Sequence, residues 1–452
     1  MALYIHIVEE LTMKVKENFL KKSARVAIVA EAASLQFGGE AALPFHYYRV
    51  LRSRNIPVWL VVREHVRPQL QKLFPDDSNV SIIYTSDSVW HRRLYPLLSW
   101  KLTSLLNYPI SFLLHSITQI EQKNLIRRLI KAHGINIVHQ PAPVSPKTPS
   151  YFFDMGVPVV IGPMNGGMDY PSAFRKMESQ SKTLIKSFGR KVSHWINLLI
   201  PGKRKAAVLL VANTRTRKAL PKTCGGEVVQ LVENGVDTSI WNFSTHDLDK
   251  NCDSLTRYVF VGRLVNWKAV DLLLLAFKSA AERAHISLTI IGDGKEREAL
   301  EQLAQDLGVF GDEANQPGKV HFAGWLEQGE CAKQLQQHDA MILPSLQECG
   351  GAVVLEAMCM SLPVIATNWG GPSDYLDPSC GILVDPSSRK GFLDGLAEAM
   401  IKLSLNPELR KTMGKAGQEK VVQKFTWDAK VDTMLEIYHK AISEHMKTSI
   451  QD

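Results

Sequence analysis

The sequence predicts an α/β protein built from two domains, each with a doubly wound parallel sheet. Short, almost continuous apolar runs alternate with longer amphipathic stretches, as expected for buried parallel strands joined by helices. Glycine-rich or polar loops follow several of these runs, where the carboxyl ends of parallel strands normally hold ligands. The chain has 452 residues, which is enough for two such domains.

The N-terminal half contains six short apolar runs that are typical of buried strands. They lie at Arg25–Ala30, Val58–Val62, Val80–Tyr84, Ile135–His139, Val157–Gly162 and Val208–Ala212. Helical stretches separate consecutive runs, which predicts strand–helix–strand units and a parallel sheet.

The C-terminal half contains a second set of six predicted strands. They lie at residues 257–261, 287–291, 319–322, 340–343, 363–367 and 381–384. The same alternation with helical stretches predicts a second parallel sheet.

The composition favours anionic partners. A net charge of +8 and a pI near 9.0 suit nucleotide diphosphates, phospholipid headgroups or nucleic acid. The sequence has no zinc finger, RNP-like aromatic motif or basic heptad, so we do not expect a nucleic-acid partner.

We expect a cytoplasmic protein with neither a metal site nor a membrane span. The six cysteines show neither metal-ligand spacing nor the density of a disulfide scaffold, which is typical of reduced thiols. The N-terminus lacks the pattern of a signal peptide. No window approaches about 18 uninterrupted apolar residues.

Two glutamates, Glu348 and Glu356, are separated by seven residues in the run Ser-Leu-Gln-Glu-Cys-Gly-Gly-Ala-Val-Val-Leu-Glu. The run predicts a loop that carries Glu348, followed by a helix that begins near Gly350, Gly351 and Ala352 and carries Glu356. Free N–H groups at a helix start suit an anion, and carboxylates accept hydrogen bonds from hydroxyl groups. The segment therefore suits a nucleotide-sugar, although a plain buried helix with two solvated acids is the alternative.

Two cations follow the first predicted strand of the second half. Gly262, Arg263 and Lys268 lie between the predicted strand Tyr258–Val261 and the predicted helix Val270–Lys278. Fixed cations at the carboxyl end of a parallel strand are well placed to neutralise a diphosphate. Ordinary surface charges are the alternative when these two residues are considered alone.

Taken in order, these segments resemble the retaining glycosyltransferases of family 4, which have the GT-B fold. Three further motifs carry the resemblance: the turn Gly292-Asp-Gly-Lys, the strand end Val320-His-Phe-Ala-Gly-Trp, and Leu362-Pro-Val-Ile-Ala-Thr-Asn-Trp-Gly-Gly-Pro-Ser-Asp. The resemblance is densest from Val232 to Pro386.

The resemblance implies two Rossmann-like domains that face each other across a cleft. Glu233–Asp237 resembles the linker between such domains, and the closing helix from Phe425 onward resembles the segment that crosses back to the first domain. We therefore expect an N-terminal acceptor-side domain at residues 1–233, completed by residues 425–452. The nucleotide-sugar-binding domain is expected at residues 234–424.

The resemblance also implies how the second domain holds its donor. Arg263, Lys268 and the N–H groups near Gly351 would stabilise the departing diphosphate without a metal ion or any other cofactor. Glu348 would hold hexose hydroxyls and Glu356 the ribose hydroxyls.

Two further places are expected to touch the donor. Backbone groups around Trp325 and Leu326 would contact the base. In the family, the loop with Gly38 and Gly39 lies opposite the donor diphosphate, with a simple glycine turn as the alternative. This glycine pair does not match the three spaced glycines of a dinucleotide site, so an oxidoreductase is not expected.

His139 and the loop Ile161–Asp169 are the remaining candidates in the first domain. The family often has two histidines where this chain has His139 and Pro141. We treat His139 as a candidate catalytic residue, with a structural histidine as the alternative. Asn165 and Asp169 are candidate sugar or acceptor contacts, with a plain tight turn as the alternative.

Three positions depart from the family pattern. Ala269 and Ser361 stand where glycine is common, and Gly350 replaces the usual aromatic residue. None of these changes removes a charge that the chemistry needs, but the change at Gly350 obscures which sugar is bound.

Two basic, partly amphipathic stretches run from Trp90 to Leu114 and from Phe174 to Lys205. Cations interleaved with Trp, Phe and Leu are typical of helices that touch an anionic membrane surface. Core-facing helices with lysine stems along apolar surface produce the same pattern. Membrane contact at the cytoplasmic face is therefore one of two interpretations.

The sequence as a whole favours a retaining, metal-independent glycosyltransferase that moves a hexosyl unit from a nucleotide-diphosphate sugar to a hydroxyl acceptor. A glycan, a glycolipid or a small metabolite could supply that hydroxyl, and polysaccharide biosynthesis is the expected setting. Two alternatives share the donor site: a nucleotide-sugar epimerase or hydrolase, and a non-catalytic nucleotide-sugar-binding protein.

Overall fold

The computed structural model describes residues 24–77, 80–99, 104–177, 192–242 and 255–451. The chain divides into two compact units. The first is drawn from Met1–Gly167, Lys186–Glu233 and Lys430–Asp452, and the second from Met168–Ile185 and Asn234–Ala429.

The first unit contains a sheet of seven parallel strands. The strands are β1 Val26–Val29, β2 Val58–Arg63, β3 Ile82–Thr85, β4 Ile137–Gln140, β5 Val159–Met164, β6 Val208–Val211 and β7 Glu227–Gln230. Their order in the sheet is β3-β2-β1-β4-β5-β6-β7. The order reverses between β1 and β4, so the loops after these two strands flank the switch point, where sheets of this class bind ligands.

Six helices of the first unit have complete bounds before the final helix. They are α1 Gly39–Ser53, α2 Arg67–Leu73, α3 Val89–Ser99, α4 Ser104–His133, α5 Gly202–Lys205 and α6 Thr214–Ala219. Residues 192–199 are also helical. The central strands are buried on both faces: Val29, Val61, Val138 and Leu209 are all fully inaccessible.

The second unit contains a sheet of six parallel strands. These are β8 Thr256–Val261, β9 Ile286–Ile291, β10 Val320–Gly324, β11 Ala340–Leu343, β12 Val364–Thr367 and β13 Gly381–Val384. Their order is β10-β9-β8-β11-β12-β13. The switch point lies between β8 and β11, so the loops after these strands meet at one edge of the sheet.

Seven helices pack around this second sheet. They are α7 Val270–Ala281, α8 Arg297–Asp306, α9 Gln328–Leu335, α10 Ala352–Cys359, α11 Pro372–Tyr375, α12 Arg389–Leu405 and α13 Pro407–Lys424. The last helix, α14, spans Trp427–Gln451 and belongs to the first unit from Lys430 onward.

The segment that begins the second unit and the segment that ends it contact each other. Val236 forms a bridge with Thr426, and the Val236 N–H donates to the Phe425 carbonyl at 2.8 Å. In the first unit, the buried Lys430 ammonium donates to the Val232 carbonyl.

The prediction of two Rossmann-like parallel-sheet domains with a helical C-terminus is confirmed. Twelve of the thirteen strands lie on predicted apolar runs, and β7 was missed because it is a half-exposed edge strand. None of the described helices is long and apolar enough to cross a bilayer. Residues 100–103 and 178–191, within the two basic stretches, lie outside the described residues.

Candidate functional site

The loop after β11 leads directly into α10 through a left-handed glycine. Gly351 is the N-cap of α10 with φ +81°, and no side chain caps this helix. A Cβ at Gly351 would lie 3.0 Å from the Glu348 Cγ, so glycine suits both the backbone conformation and the space. The first N–H groups of α10, at Ala352 and Val353, are left without intrahelical partners.

Lys268 and Glu348 form an ion pair across the switch point. Lys268 lies on the short 3-10 turn Asn266–Lys268 after β8, and its ammonium donates to the Glu348 carboxylate. The two side chains are only 12% and 16% exposed, so the pair is shielded from water and is screened less than a surface pair.

Gly262 lies beside the Lys268 side chain. A Cβ at Gly262 would lie 3.7 Å from the Lys268 Nζ and 3.3 Å from the Phe260 ring. The next residue, Arg263, is exposed. Among the described residues it has neither an ion pair nor a side-chain hydrogen bond, so its guanidinium is available to an anion.

A second glycine pair fixes the Glu348 loop. The Gly371 N–H donates to the Glu348 carbonyl at 2.7 Å, and a Cβ at Gly371 would lie only 1.9 Å from the Gly350 oxygen. The Leu346 N–H donates to the Trp267 carbonyl at 2.9 Å. The loops after β8, β11 and β12 are thus joined through their backbones, which holds the ion pair in place.

Glu356 lies one turn into α10 and is half-buried. Burial raises the pKa of its carboxyl group to about 7. Burial and, after it, the Glu356 charge raise the pKa of the Cys331 thiol to about 12 and that of Cys359 to about 11. Both protonation states of Glu356 are therefore accessible near neutral pH.

The remaining residues predicted for the donor follow β10. Trp325 is 69% exposed and Leu326 is half-buried. Strand β10 lies two strands from β8, so both residues stand at the same edge of the sheet as the Lys268–Glu348 pair.

In the first unit, the loop after β1 is open. Gly38 has φ +91°, and no heavy atom lies within 4 Å of a Cβ built at Gly38 or Gly39. The Glu40 carboxylate accepts a hydrogen bond from the Val144 N–H at 2.9 Å, which joins this loop to the segment after β4. The glycine pair is accessible, and the left-handed conformation at Gly38 favours glycine.

His139 lies in the core of the first unit, and not at an accessible surface. Its side chain is fully buried. The Nε2 donates to the Gly162 carbonyl at 2.7 Å, and the Nδ1 accepts from the Tyr438 hydroxyl at 2.6 Å. Burial lowers the pKa of His139 to about 4. Both ring nitrogens therefore form hydrogen bonds that join β4 to β5 and to α14.

Asn165 and Asp169 fall in different units. Asn165 is buried and donates to the Glu233 carboxylate at 2.6 Å. Its oxygen accepts from Thr216 at 3.3 Å and from Arg215 at 3.4 Å. Asp169 belongs to the second unit, where its carbonyl accepts from the Trp369 indole at 2.9 Å.

The structure thus brings one set of predicted residues into contact, namely Gly262, Lys268, Glu348, Gly350 and Gly351. The contacts of Gly370 and Gly371 with the Glu348 loop were not predicted, although the paired glycines after β12 were the available signal. In the described ranges, no group of three or more His, Cys, Asp or Glu side chains is placed to hold a metal ion.

The site falls within a segment that matches a known family. Residues 253–420 match the family model Glycosyl transferases group 1. The matched segment contains the Lys268–Glu348 pair, Arg263 and all of α10.

A curated relative matches the chain over part of its length. The lipopolysaccharide core biosynthesis glycosyltransferase LpsE of Rhizobium meliloti is 32% identical over 178 residues, which cover 39% of this chain and 48% of the relative. The chain spans about half the length of the first curated relatives that it matches.

Solved structures share the fold over nearly the whole chain. Sucrose-phosphate synthase from Thermosynechococcus elongatus superposes with a TM-score of 0.61 at 18% identity, covering 93% of this chain and all of that one. HepE of Anabaena, solved in complex with UDP, gives a TM-score of 0.59 at 14% identity, covering 92% of this chain and all of that one. At such identities the likeness concerns the fold alone.

Proposed function

We propose that this protein is a retaining glycosyltransferase of the family 4 type. It would move a hexosyl unit from a nucleotide-diphosphate sugar to a hydroxyl acceptor, without a metal ion. The observation that carries the proposal is the Lys268–Glu348 ion pair beside the uncapped start of α10, within the segment that matches the glycosyl transferases group 1 family.

The chemical difficulty of this reaction is charge separation. As the bond between the sugar and the diphosphate breaks, the sugar becomes cationic and the diphosphate gains negative charge. Arg263, Lys268 and the first N–H groups of α10 are fixed donors that would stabilise this leaving group. Each charge-assisted hydrogen bond there is worth roughly 1.5–3 kcal/mol.

The ion pair leaves capacity for substrate on both partners. One N–H of the Lys268 ammonium is directed at Glu348, so two donors remain for phosphate oxygens. The other carboxylate oxygen of Glu348 can accept hydrogen bonds from hexose hydroxyls. The pair would therefore place the sugar and the diphosphate relative to each other.

Glu356 would take the ribose. A pKa of about 7 makes both protonation states accessible near neutral pH, so the group can accept from one ribose hydroxyl and donate to another. We propose front-face attack by the acceptor, because Glu348 is held in an ion pair and its charge is needed to position Lys268.

The acceptor would be a hydroxyl of a glycan or glycolipid, handled at the cytoplasmic face of a membrane. The relative LpsE is named for lipopolysaccharide core biosynthesis, which supports this class of acceptor. Exposed basic and apolar residues of the first unit, among them Lys218, Trp195 and Leu199, support contact with an anionic membrane surface.

The test is a donor screen with matched variants. Turnover is measured with UDP-, GDP-, ADP- and dTDP-sugars, with and without glycan acceptors. Arg263→Ala and Lys268→Ala should each lower kcat by about a hundredfold, while circular dichroism should show that both variants keep the fold. Lys411→Ala, an exposed lysine on α13, is the control and should retain normal turnover.

Product analysis separates the two alternatives. Release of free sugar without an acceptor would identify a hydrolase. Epimerisation of the sugar without an acceptor would identify an epimerase. Tight nucleotide-sugar binding without any product would identify a binding protein. Normal turnover in either cation variant would refute the proposed role of that residue.

A further inference from the structure

The chain that follows β5 contributes a short segment to the second unit. Strand β5 ends at Met164 in the first unit, whereas residues from Met168 onward belong to the second. The segment includes the 3-10 turn Ser172–Met177. We call residues 168–177 the β5 extension. The chemistry proposed above assigns no role to its contacts.

The start of the β5 extension contacts the loop after β12. A Cβ at Gly370 would lie 2.5 Å from the Met168 Cε and 3.1 Å from its Sδ, so the thioether packs directly on this glycine. The Trp369 indole N–H donates to the Asp169 carbonyl at 2.9 Å. Two neighbouring residues of the extension are therefore attached to two neighbouring residues of the loop.

The end of the β5 extension is anchored by an aromatic pair. Phe174 lies on the 3-10 turn and Phe392 on α12, and they are 3% and 0% exposed. Their ring centroids are 5.7 Å apart in an edge-to-face arrangement. The Phe174 N–H donates to the Pro171 carbonyl at 2.9 Å. Since buried aromatic pairs stabilise strongly, the extension is fixed at both of its ends.

Gly370 lies between Met168 and the backbone of Glu348. Its φ of +76° falls in the left-handed region that favours glycine. A Cβ at this position would collide with the Glu348 carbonyl oxygen as well as with Met168. The next residue, Gly371, donates its N–H to the same carbonyl at 2.7 Å. While Met168 covers Gly370, this turn has no room to move away from Glu348.

We infer that Met168 is a positioning residue for the Glu348 carboxylate. It covers Gly370 and so keeps the Gly370–Gly371 turn hydrogen-bonded to the Glu348 loop. The Glu348 side chain is then held where it pairs with Lys268. The binding of hexose hydroxyls by Glu348 rests on the proposed function, whereas the positioning of its loop does not.

Met168 should affect the sugar half of the donor more than the nucleotide half. Its contacts lead to the backbone of Glu348, the residue assigned to the hexose. The ribose is assigned to Glu356 on α10, where the hydrogen bonds of the helix itself hold the backbone. Misplacement of a substrate-binding group by about 1 Å lowers the rate strongly. A loosened Glu348 loop should therefore slow sugar transfer and leave nucleotide binding intact.

Hydrogen exchange measures the positioning without any ligand. In the full-length protein, mass spectrometry follows the amides of a peptide that contains Gly371. Met168→Ala removes the side chain that covers Gly370, so these amides should exchange at least about tenfold faster. Met168→Leu conserves most of the volume and should stay within about twofold of the wild-type rate.

Met413→Ala is the matched control. Met413 lies on α13 of the same unit and is 7% exposed, against 8% for Met168, so both truncations remove a buried thioether. Met413→Ala should change exchange near Gly371 by less than about twofold. Equal acceleration in both alanine variants would show general loosening of the unit and overturn the inference. An unchanged rate in Met168→Ala would overturn it as well.

Trp369→Phe is the second variant, for the case in which Met168→Ala does not fold. It removes the indole N–H that donates to Asp169 and keeps an aromatic ring. Exchange near Gly371 should rise by at least about threefold, with an unchanged circular dichroism spectrum. A wild-type exchange rate in this folded variant would count against the β5 extension as the element that holds the turn.

Turnover tests the consequence for the sugar. The donors are UDP-, GDP-, ADP- and dTDP-glucose, and the affinity for each free nucleoside diphosphate is measured by calorimetry. For the donor that the wild type transfers, Met168→Ala should lower kcat by about tenfold, and Met168→Leu should restore it. The affinity for the free diphosphate should change by less than about twofold. Equal losses of kcat and diphosphate affinity would mean that the whole site is disrupted, which contradicts a positioning role.

Failure of the proposed function gives a different result. If exchange near Gly371 responds as expected but the wild type transfers no sugar from any donor, the glycosyltransferase assignment fails and the positioning of Glu348 by Met168 stands. If the wild type transfers sugar and Met168→Ala matches it in both exchange and kcat, the inference fails and the proposed function stands.

Discussion

The Glu356 carboxyl group lies where burial disfavours its charged form. The side chain is half-buried on α10, and burial raises its pKa from 4.5 to about 7. The folded protein therefore binds a proton at this site more tightly than the unfolded chain does. The contribution of Glu356 to the free energy of unfolding is therefore largest below its unfolded pKa, and it is lost as the pH rises toward about 7.

Replacing this acid should raise the stability of the protein and lower its affinity for nucleotide. Glu356→Gln should unfold at a higher urea concentration than the wild type at about pH 8, by the equivalent of about 2 kcal/mol, with little gain at about pH 4. It should also bind nucleotide less tightly. Urea midpoints at both pH values and calorimetric nucleotide titration measure the two effects.

The control for this change is Glu313→Gln, in an exposed loop, which should move neither quantity. A pH-independent gain in Glu356→Gln would show that the buried charge is not the cause.

For individual residues, the sequence predicted the type of residue in the site better than the partners of that residue. Gly262, Lys268, Glu348 and Gly351 could be singled out, because a cation and an acid after neighbouring strands are expected at one sheet edge. The burial of His139 could not be predicted. It depends on Tyr438, which is 299 positions away in sequence, and no local pattern reports such a contact.

The element that carries Glu356 ends in a strained residue. Ser361 follows α10 with φ +59°, in the left-handed region that favours glycine. The Leu362 N–H donates to the Ala357 carbonyl and the Ser361 N–H to the Met358 carbonyl, both at 3.0 Å. This is the Schellman arrangement, in which glycine is the usual residue at the left-handed position.

Ser361→Gly should therefore stabilise the protein by roughly 1 kcal/mol, because glycine adopts this conformation without a Cβ clash. The measurement is the urea midpoint of unfolding. Ser361→Ala is the matched control: it removes the hydroxyl, keeps the Cβ and should leave the midpoint unchanged. An equal gain in both variants would attribute the effect to the hydroxyl and not to the backbone.

Strands were predictable where both faces are buried. The strands β2, β9 and β11 are mostly apolar, and every residue in them is buried. Strand β7 has exposed residues at both ends and half-buried residues between them, because it lies at the edge of its sheet and has only one neighbour. An edge strand lacks the continuous apolar run that a central strand requires.

Across the whole molecule, burial shifts the pKa values of acids and of lysines in ways that make stability depend on pH. In the first unit, burial lowers the pKa of Lys203 and that of Lys430 from 10.5 to about 7. Lys203 donates to the Pro146 carbonyl at 2.6 Å, and Lys430 donates to the Val232 carbonyl. In the second unit, burial raises the pKa of Glu356, so this acid and the two lysines have opposite effects on the pH dependence of stability.

The buried lysines should make stability rise with pH above neutrality. Between about pH 7 and about pH 10 the unfolded chain binds more protons at these two sites than the folded protein, so raising the pH favours folding. Each lysine contributes up to about 1.4 kcal/mol per pH unit in that window.

Lys203→Met and Lys430→Met should each flatten the increase of the urea midpoint from about pH 7 to about pH 9, and the double variant should flatten it most. Lys131→Met, an exposed lysine on α4, should keep the wild-type slope. An unchanged slope in the double variant would mean that both ammonium groups remain charged in the folded protein, stabilised by their carbonyl partners.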